Sequence, residues 1–457
     1  MTRTQQPSEH TPLPADLDHF TGRDLIWLSL AAALLGIVTA AGVWLFQAFI
    51  GLLRTASVSA ELLSPWFFPF IIVAGGIIVS LIAHYFGRRD ELAAMAHIID
   101  RVAEHTGRLN KRDGLAFVIT SALSIGVGAP VGADTPSAMI GAHLASWFGT
   151  RLRRPDLFVR ALVVAGAGAG IAATYFAQLA AVFFALEVVL GGFGGAVFVV
   201  PVLIAVATAS MFMEYTGGAP AQYNVAVTGD GWLNVTLLLY AGVAVLAALA
   251  AIAYVNLLPR FSVFWTRLSI PYWAKTALAA LAIGLVAMQL PGVTGSGQTQ
   301  MQNIFAGVPI PLGTLLALAL ATLILTPWSL GGGFVGGVIG PALLIGSALG
   351  AAYGNIVAML LPGLDVSPQA FAMVATAAML AGTLHAPLFG AMMIFEMAND
   401  YRFLVPLMLA AAIGYGLARP FQPGSAYTFM LPRIGLRLKH GTFIVAKQSR
   451  DQSSDSE

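Results

Sequence analysis

The chain has no cysteine, and only 10% of its 457 residues are charged. Without cysteine there are no disulfides and no thiolate metal sites, and so few charges cannot clothe an ordinary soluble domain. Lysine plus arginine (23) nearly balance aspartate plus glutamate (21), so the net charge says little about a partner, and no nucleic-acid binding is expected. The sequence also lacks a phosphate loop, an HExxH pair and a nucleophile elbow, which leaves no enzyme signature and no cofactor to expect. His97, His143 and His385 are scattered without metal-ligand spacing and are expected to be packed or hydrogen-bonded.

What fills the chain instead is apolar. Hydrophobic residues make up 58% and the mean hydropathy is +0.81, which points to an all-α polytopic membrane protein. Apolar stretches lie near 25–50, 66–86, 115–148, 160–210, 232–258, 274–291, 309–330, 335–358, 368–396 and 403–419. Several exceed the roughly 20 residues that cross a bilayer, so they are read as helix pairs or as helices broken partway across. The 49 glycines allow close helix packing where lipid offers no hydrophobic drive.

The polar amino end, residues 1–24, lacks a basic n-region and a small-residue cleavage site and is read as a short cytoplasmic tail. The transmembrane region is expected over 25–440, in halves 25–225 and 226–440, followed by a polar cytoplasmic tail at 441–457. Arg433, Arg437, Lys439, Lys447 and Arg450 follow the last apolar stretch closely, and the positive-inside bias puts that end in the cytoplasm as well. Both termini on one side imply an even number of full crossings. The stretch from Arg88 to Arg112 mixes signs and reads as a solvated helix face on the same side.

The halves echo each other. Gly132-x-x-x-Pro136-x-x-x-Ile140-Gly141-x-x-Leu144 recurs 205 residues later as Gly337-x-x-x-Pro341-x-x-x-Ile345-Gly346-x-x-Leu349. Leu179 and Glu187 recur 209 residues later as Leu388 and Glu396. Two matches in order at nearly one offset indicate duplication, and Gly/Pro interruptions at corresponding places point to a mid-membrane substrate site.

The first interruption also carries a carboxylate, Asp134, in an otherwise apolar stretch. An acid in hydrocarbon is costly unless it faces protein, water or a permeating species, so its default reading is functional; a helix-capping aspartate is the alternative. Thr135 is expected to cap a helix with Pro136 in its first turn, and Gly340-Pro341 to start the second helix likewise. Each helix start leaves free N–H groups and a positive dipole end that attract an anion, and glycines let the backbone approach it. The alternative is two ordinary buried helix starts. Placed just before the cap, a charged Asp134 can occupy the anion position and leave it on protonation.

These residues resemble the CLC family of chloride channels and chloride/proton antiporters, from about residue 25 to 440. In that family the signatures GSGxP, GREGP and GxFxP surround the anion, joined by a tyrosine near the last membrane helix. Here Gly132-Ala-Asp-Thr-Pro136 resembles GREGP, with Asp134 at the gating-glutamate position and Ala133 beside it. Gly337-Val-Ile-Gly-Pro341 resembles GxFxP, so the resemblance implies anion binding by Val338, Ile339 and Gly340, with Ile339 in place of phenylalanine. Tyr427, in Ser425-Ala-Tyr-Thr-Phe-Met-Leu431, matches the tyrosine. Phe184-Ala-Leu-Glu-Val188 and His385-Ala-Pro-Leu388 add to the likeness.

The departures carry expectations too. Phe86–Leu92 stands where GSGxP would be, without its serine or proline, and puts Arg88 and Arg89 at the vestibule. Val188 takes the place of the internal proton-transfer glutamate, with Glu187 matching its neighbour. Aspartate is one methylene shorter than glutamate, which is expected to limit its reach into the ion path. The resemblance implies an inverted-repeat architecture of tilted, discontinuous helices, a homodimer with one pore per subunit, and residence in the plasma (inner) membrane. The favoured function is channel-like transport of chloride or a similar monovalent anion, gated by Asp134. A chloride/proton antiporter, with protons as a second partner, and a non-transporting membrane sensor or structural subunit are the alternatives.

Overall fold

The computed structural model describes residues 21–63, 67–85, 94–103, 106–217, 235–364, 366–422, 424–429, 436–439 and 442–445. Arg88 and Arg89, the expected vestibule cations, lie outside the described residues. The first half holds α1 (Gly22–Leu63), α2 (Phe67–Tyr85), α3 (Ala94–Ala103), α4 (Lys111–Gly126), α5 (Asp134–Arg151), α6 (Asp156–Tyr175), α7 (Gln178–Phe183) and α8 (Ala196–Tyr215). The second holds α9 (Val235–Arg267), α10 (Tyr272–Gln289), α11 (Gln298–Phe305), α12 (Leu312–Gly332), α13 (Ile339–Leu360), α14 (Pro368–Leu384), α15 (Pro387–Ala398) and α16 (Leu404–Phe421). Among the described residues, nine helices are long and apolar enough to cross a membrane.

The overlong apolar stretches divide as their glycines and prolines suggest. Residues 115–148 hold the end of α4 and most of α5; residues 160–210 hold α6, α7, a π-helical turn over Phe184–Leu190 and most of α8; residues 368–396 hold α14 and most of α15. A short antiparallel hairpin, β1 (Leu436–Lys439) with β2 (Thr442–Val445), is the one pair of strands among the described residues, and β2 lies against α3. Its two strands lie on either side of the boundary expected at residue 440.

The centre is built from the least bulky helices. In α6 (GAGAGIAA) the window that could span a membrane is wholly buried, because small side chains let helices meet backbone to backbone. Gly141 of α5 and Gly166 of α6 face each other so closely that a Cβ on either would overlap the other's carbonyl.

The two halves meet around a pseudo-two-fold axis. The Gly132 N–H donates to the Gly337 carbonyl at 2.7 Å and the Gly337 N–H donates to the Gly132 carbonyl at 2.7 Å. These are equivalent residues at the 205-residue offset, so the axis passes between them. Phe176 and His385, at the 209-residue offset, end α6 and α14 with the same left-handed φ of 56°.

The repeated glutamates cross that axis. Glu187 accepts from the Leu388 and Phe389 N–H groups at 3.3 and 2.8 Å, while Glu396 accepts from those of Leu179 and Ala180 at 2.8 and 2.9 Å. Each half therefore satisfies the free amides that start a helix of the other half. Neither α7 nor α15 has a side-chain cap of its own.

Charge divides the two faces unevenly. Arg23, the Arg151–Arg153–Arg154 cluster, Arg267, Lys275 and Arg419 lie at helix ends on the face where α1 begins and α16 ends. Toward the opposite face lie Arg54, near the end of α1, and Arg402, which is paired with Asp400 at 2.7 Å.

Replacing Glu187 by Ala should remove two charged hydrogen bonds and lower stability by about 3 kcal/mol, with Glu396→Ala giving the same loss and the Gln variants a smaller one. Thermal midpoints in detergent check this; Ala variants as stable as the parent would refute the crossed caps.

Candidate functional site

The bridge between Gly132 and Gly337 sets the starts of α5 and α13 beside each other. Ala133 and Val338 are their N-caps, Asp134 and Ile339 their first residues, and Pro136 and Pro341 their third. Both helices thus begin two residues earlier than caps at Thr135 and Gly340 would have it. Proline still fits, because the third N–H of a helix has no partner to lose. Thr135 is not the cap: Ala133, at φ −85° and ψ −5°, already has helical geometry and makes no side-chain cap.

The Asp134 carboxylate is 0% exposed and seated over the start of α13. Its Oδ2 accepts from the Tyr427 hydroxyl at 2.6 Å, the Val338 N–H at 3.2 Å and the Thr135 hydroxyl at 3.3 Å. Its Oδ1 accepts from the Gly340 N–H at 3.4 Å and the Tyr175 hydroxyl at 3.5 Å. The acid does act as a helix cap, but on the helix of the other half. No cation takes part among the described residues; amide and hydroxyl dipoles alone surround the charge.

Of the sequence-expected anion ligands, Val338, Gly340 and Tyr427 converge on Asp134, whereas the Ile339 and Ala133 amides make no hydrogen bond to it. The expected short reach of Asp134 is corrected. It extends to the tyrosine because glycines at 132 and 337 allow the two backbones into contact, and a Cβ on Gly337 would overlap the carboxylate itself. Val188 is buried in the π-helical turn, and beside it Glu187 is engaged with α15. His385 bonds to the Gln422 side chain at 3.0 Å and His143 to the Met139 carbonyl at 2.9 Å, as packed, hydrogen-bonded histidines should.

Tyr175 and Tyr254 escaped the sequence reading, and Thr135 was read only as a helix cap. Tyr175 ends α6 and aims its hydroxyl at Asp134; Thr135 bridges Asp134 and Tyr427; Tyr254 of α9 donates to the Val338 carbonyl at 3.3 Å and sits behind the cradle. A buried tyrosine hydroxyl needs a partner, and in apolar runs such as 160–210 and 232–258 that need was the available signal. The 209-residue offset pairs Tyr175 with Leu384, so the repeat did not reveal it.

Residues 75–419 match the family model described as voltage gated chloride channel. The chain belongs to that family. It is 32% identical over 397 residues, 85% of this chain and 90% of the relative, to the putative chloride channel protein ClcB-like of Ralstonia nicotianae. It is also 28% identical over 318 residues, 68% of this chain and 66% of the relative, to the H(+)/Cl(-) exchange transporter ClcA of Yersinia pestis. Its fold is similar to that of a slow cyanobacterial Cl-/H+ antiporter, with a TM-score of 0.79 at 20% identity over 93% of this chain and 99% of that one. The helical membrane architecture is thus that of the chloride channel family.

Because the carboxylate is what a Cβ on Gly337 would meet, Gly337→Ala should push Asp134 out of its cradle and raise chloride flux at neutral pH several-fold. In an Asp134→Ala background the same change should do little, since nothing remains to displace. Chloride efflux from liposomes checks both, and equal effects of Gly337→Ala in the two backgrounds would refute the displacement.

Proposed function

We propose that this chloride channel family member conducts chloride or a similar monovalent anion in a channel-like manner, with Asp134 as a gate that competes with the ion for one set of donors. The observation that carries this is the Asp134 carboxylate on the Val338 and Gly340 amides and the Tyr427 hydroxyl. A helix start with added hydroxyls stabilises a dehydrated anion without a full opposite charge, so the ion can still leave. Charged Asp134 fills the cradle and repels a second anion. Protonation turns an acceptor into a donor and ends the attraction to N–H groups, so the side chain leaves and the ion takes its place. Flux therefore rises as pH falls.

Two observations favour the channel-like reading over coupled exchange. Val188 brings no titratable group to the inner side of the site, and Glu187 is held by two amides. The exchanger remains the second reading, because a carboxylate stands at position 134 and one relative is named as an exchange transporter.

The positive-inside rule supports cytoplasmic placement of the face bearing Arg23, Arg151, Arg267 and Arg419, and with it both ends of the chain. Family resemblance supports a plasma (inner) membrane homodimer with one pore in each subunit.

The test is purified protein in liposomes with chloride efflux and internal pH recorded together. The expected result is chloride flux without stoichiometric proton movement, rising on acidification. Asp134→Ala should leave flux present and nearly independent of pH. Tightly linked proton movement would favour the exchanger, and no flux above empty liposomes at any pH would overturn both readings.

A further inference from the structure

The hydroxyls around the Asp134 cradle differ in what else they hold. Thr135 donates to the Tyr427 hydroxyl at 3.3 Å, so those two keep each other as partners when the acid moves, and Tyr254 donates to the Val338 carbonyl at 3.3 Å. Tyr175 has no such outlet. Among the described residues its hydroxyl has one hydrogen-bond partner, the Asp134 Oδ1 at 3.5 Å, and the residue is 5% exposed. The neighbouring Thr174 hydroxyl, by contrast, closes on its own helix by donating to the Gly170 carbonyl at 2.8 Å.

Nothing in the packing requires the Tyr175 hydroxyl. The equivalent place in the second half is held by Leu384, which is buried without any polar side-chain atom. A buried O–H whose single acceptor moves away must find another or go unsatisfied. When Asp134 leaves the cradle, the Tyr175 hydroxyl therefore falls to whatever takes the acid's place.

The distances suit an occupant larger than a carboxylate oxygen. Asp134 Oδ2 has the Tyr427 hydroxyl at 2.6 Å and the Val338 N–H at 3.2 Å, whereas the Gly340 N–H and the Tyr175 hydroxyl stand 3.4 and 3.5 Å from Oδ1. That is beyond the usual span of a hydrogen bond to oxygen. A halide has a larger radius than oxygen, and on that side it fills more of the gap between amide and hydroxyl.

We infer that the Tyr175 hydroxyl is a ligand of the transported anion, and the donor that makes the site favour a compact halide such as chloride over a large one such as iodide. The inference rests on the anion-transport reading. An ion entering a buried cradle gives up its water, and a compact ion gives up more than a large one. A fixed O–H donor therefore returns more to chloride than to iodide, and the number and strength of the donors set which ion is preferred.

The test uses the Asp134→Ala protein, in which no carboxylate competes for the hydroxyl. Chloride and iodide binding are measured by calorimetric titration of the purified protein, and the flux of each in liposomes. Adding Tyr175→Phe, which keeps the ring and removes the O–H, should weaken chloride binding about tenfold, the low end for one hydrogen bond to a charged group, and iodide binding less than about threefold. The half-saturating chloride for flux should rise by the same factor as the dissociation constant. Tyr240→Phe, which removes the hydroxyl of a buried tyrosine packed on Phe371 away from the cradle, should change neither. Unaltered chloride binding on adding Tyr175→Phe, or equal weakening for both halides, overturns the inference and leaves the transport reading intact. Absence of flux in the parent protein overturns the transport reading, while the calorimetric comparison still decides the role of Tyr175. If the double variant does not fold, Tyr175→Phe alone decides at acid pH, where Asp134 is protonated: a chloride-to-iodide flux ratio below the parent's supports the inference, and an equal ratio overturns it.

Discussion

A carboxylate buried at the middle of a membrane protein, with no cation beside it among the described residues, must be satisfied by dipoles or it will not stay charged. Asp134 meets that demand with the amides that start α13 and three hydroxyls. Much of the architecture serves this one arrangement. The inverted duplication sets two helix starts side by side, the glycine bridge brings them into backbone contact, and small-residue packing in α6 lets Tyr175 arrive from behind.

Symmetry separates what holds the molecule together from what it does. Glu187 and Glu396 are true equivalents, each capping a helix of the other half, and their role is structural. At the site the equivalence fails. Asp134 corresponds to Ile339, Thr135 to Gly340 and Tyr175 to Leu384. Two acids facing each other would repel, and two apolar residues would leave the amides of the paired helix starts without a side-chain acceptor. One acid facing one set of open amides gives a single position for a negative charge.

Side-chain length matters less than backbone approach in deciding how far the acid reaches. An aspartate spans to Tyr427 here because nothing but hydrogen stands on Gly132 and Gly337. The same contact is why a single methyl group at 337, a position with no side chain of its own, would collide with the carboxylate.

The amino-acid sequence by itself determined the membrane class, the duplication and the Gly/Pro helix starts, because composition and period are local properties of the chain. It also singled out Asp134, Val338, Gly340 and Tyr427, through an acid where hydrocarbon was expected and through ordered motifs. It could not determine which amides actually face the acid, since Ile339 and Ala133 looked as suitable as Val338 and Gly340 until α5 and α13 were set at their true angle. Nor could it reveal Tyr175, Thr135 as a bridge or the crossed glutamate caps. Those contacts join residues 41 to 293 positions apart or depend on a rotamer, and only the packing of the two halves decides them.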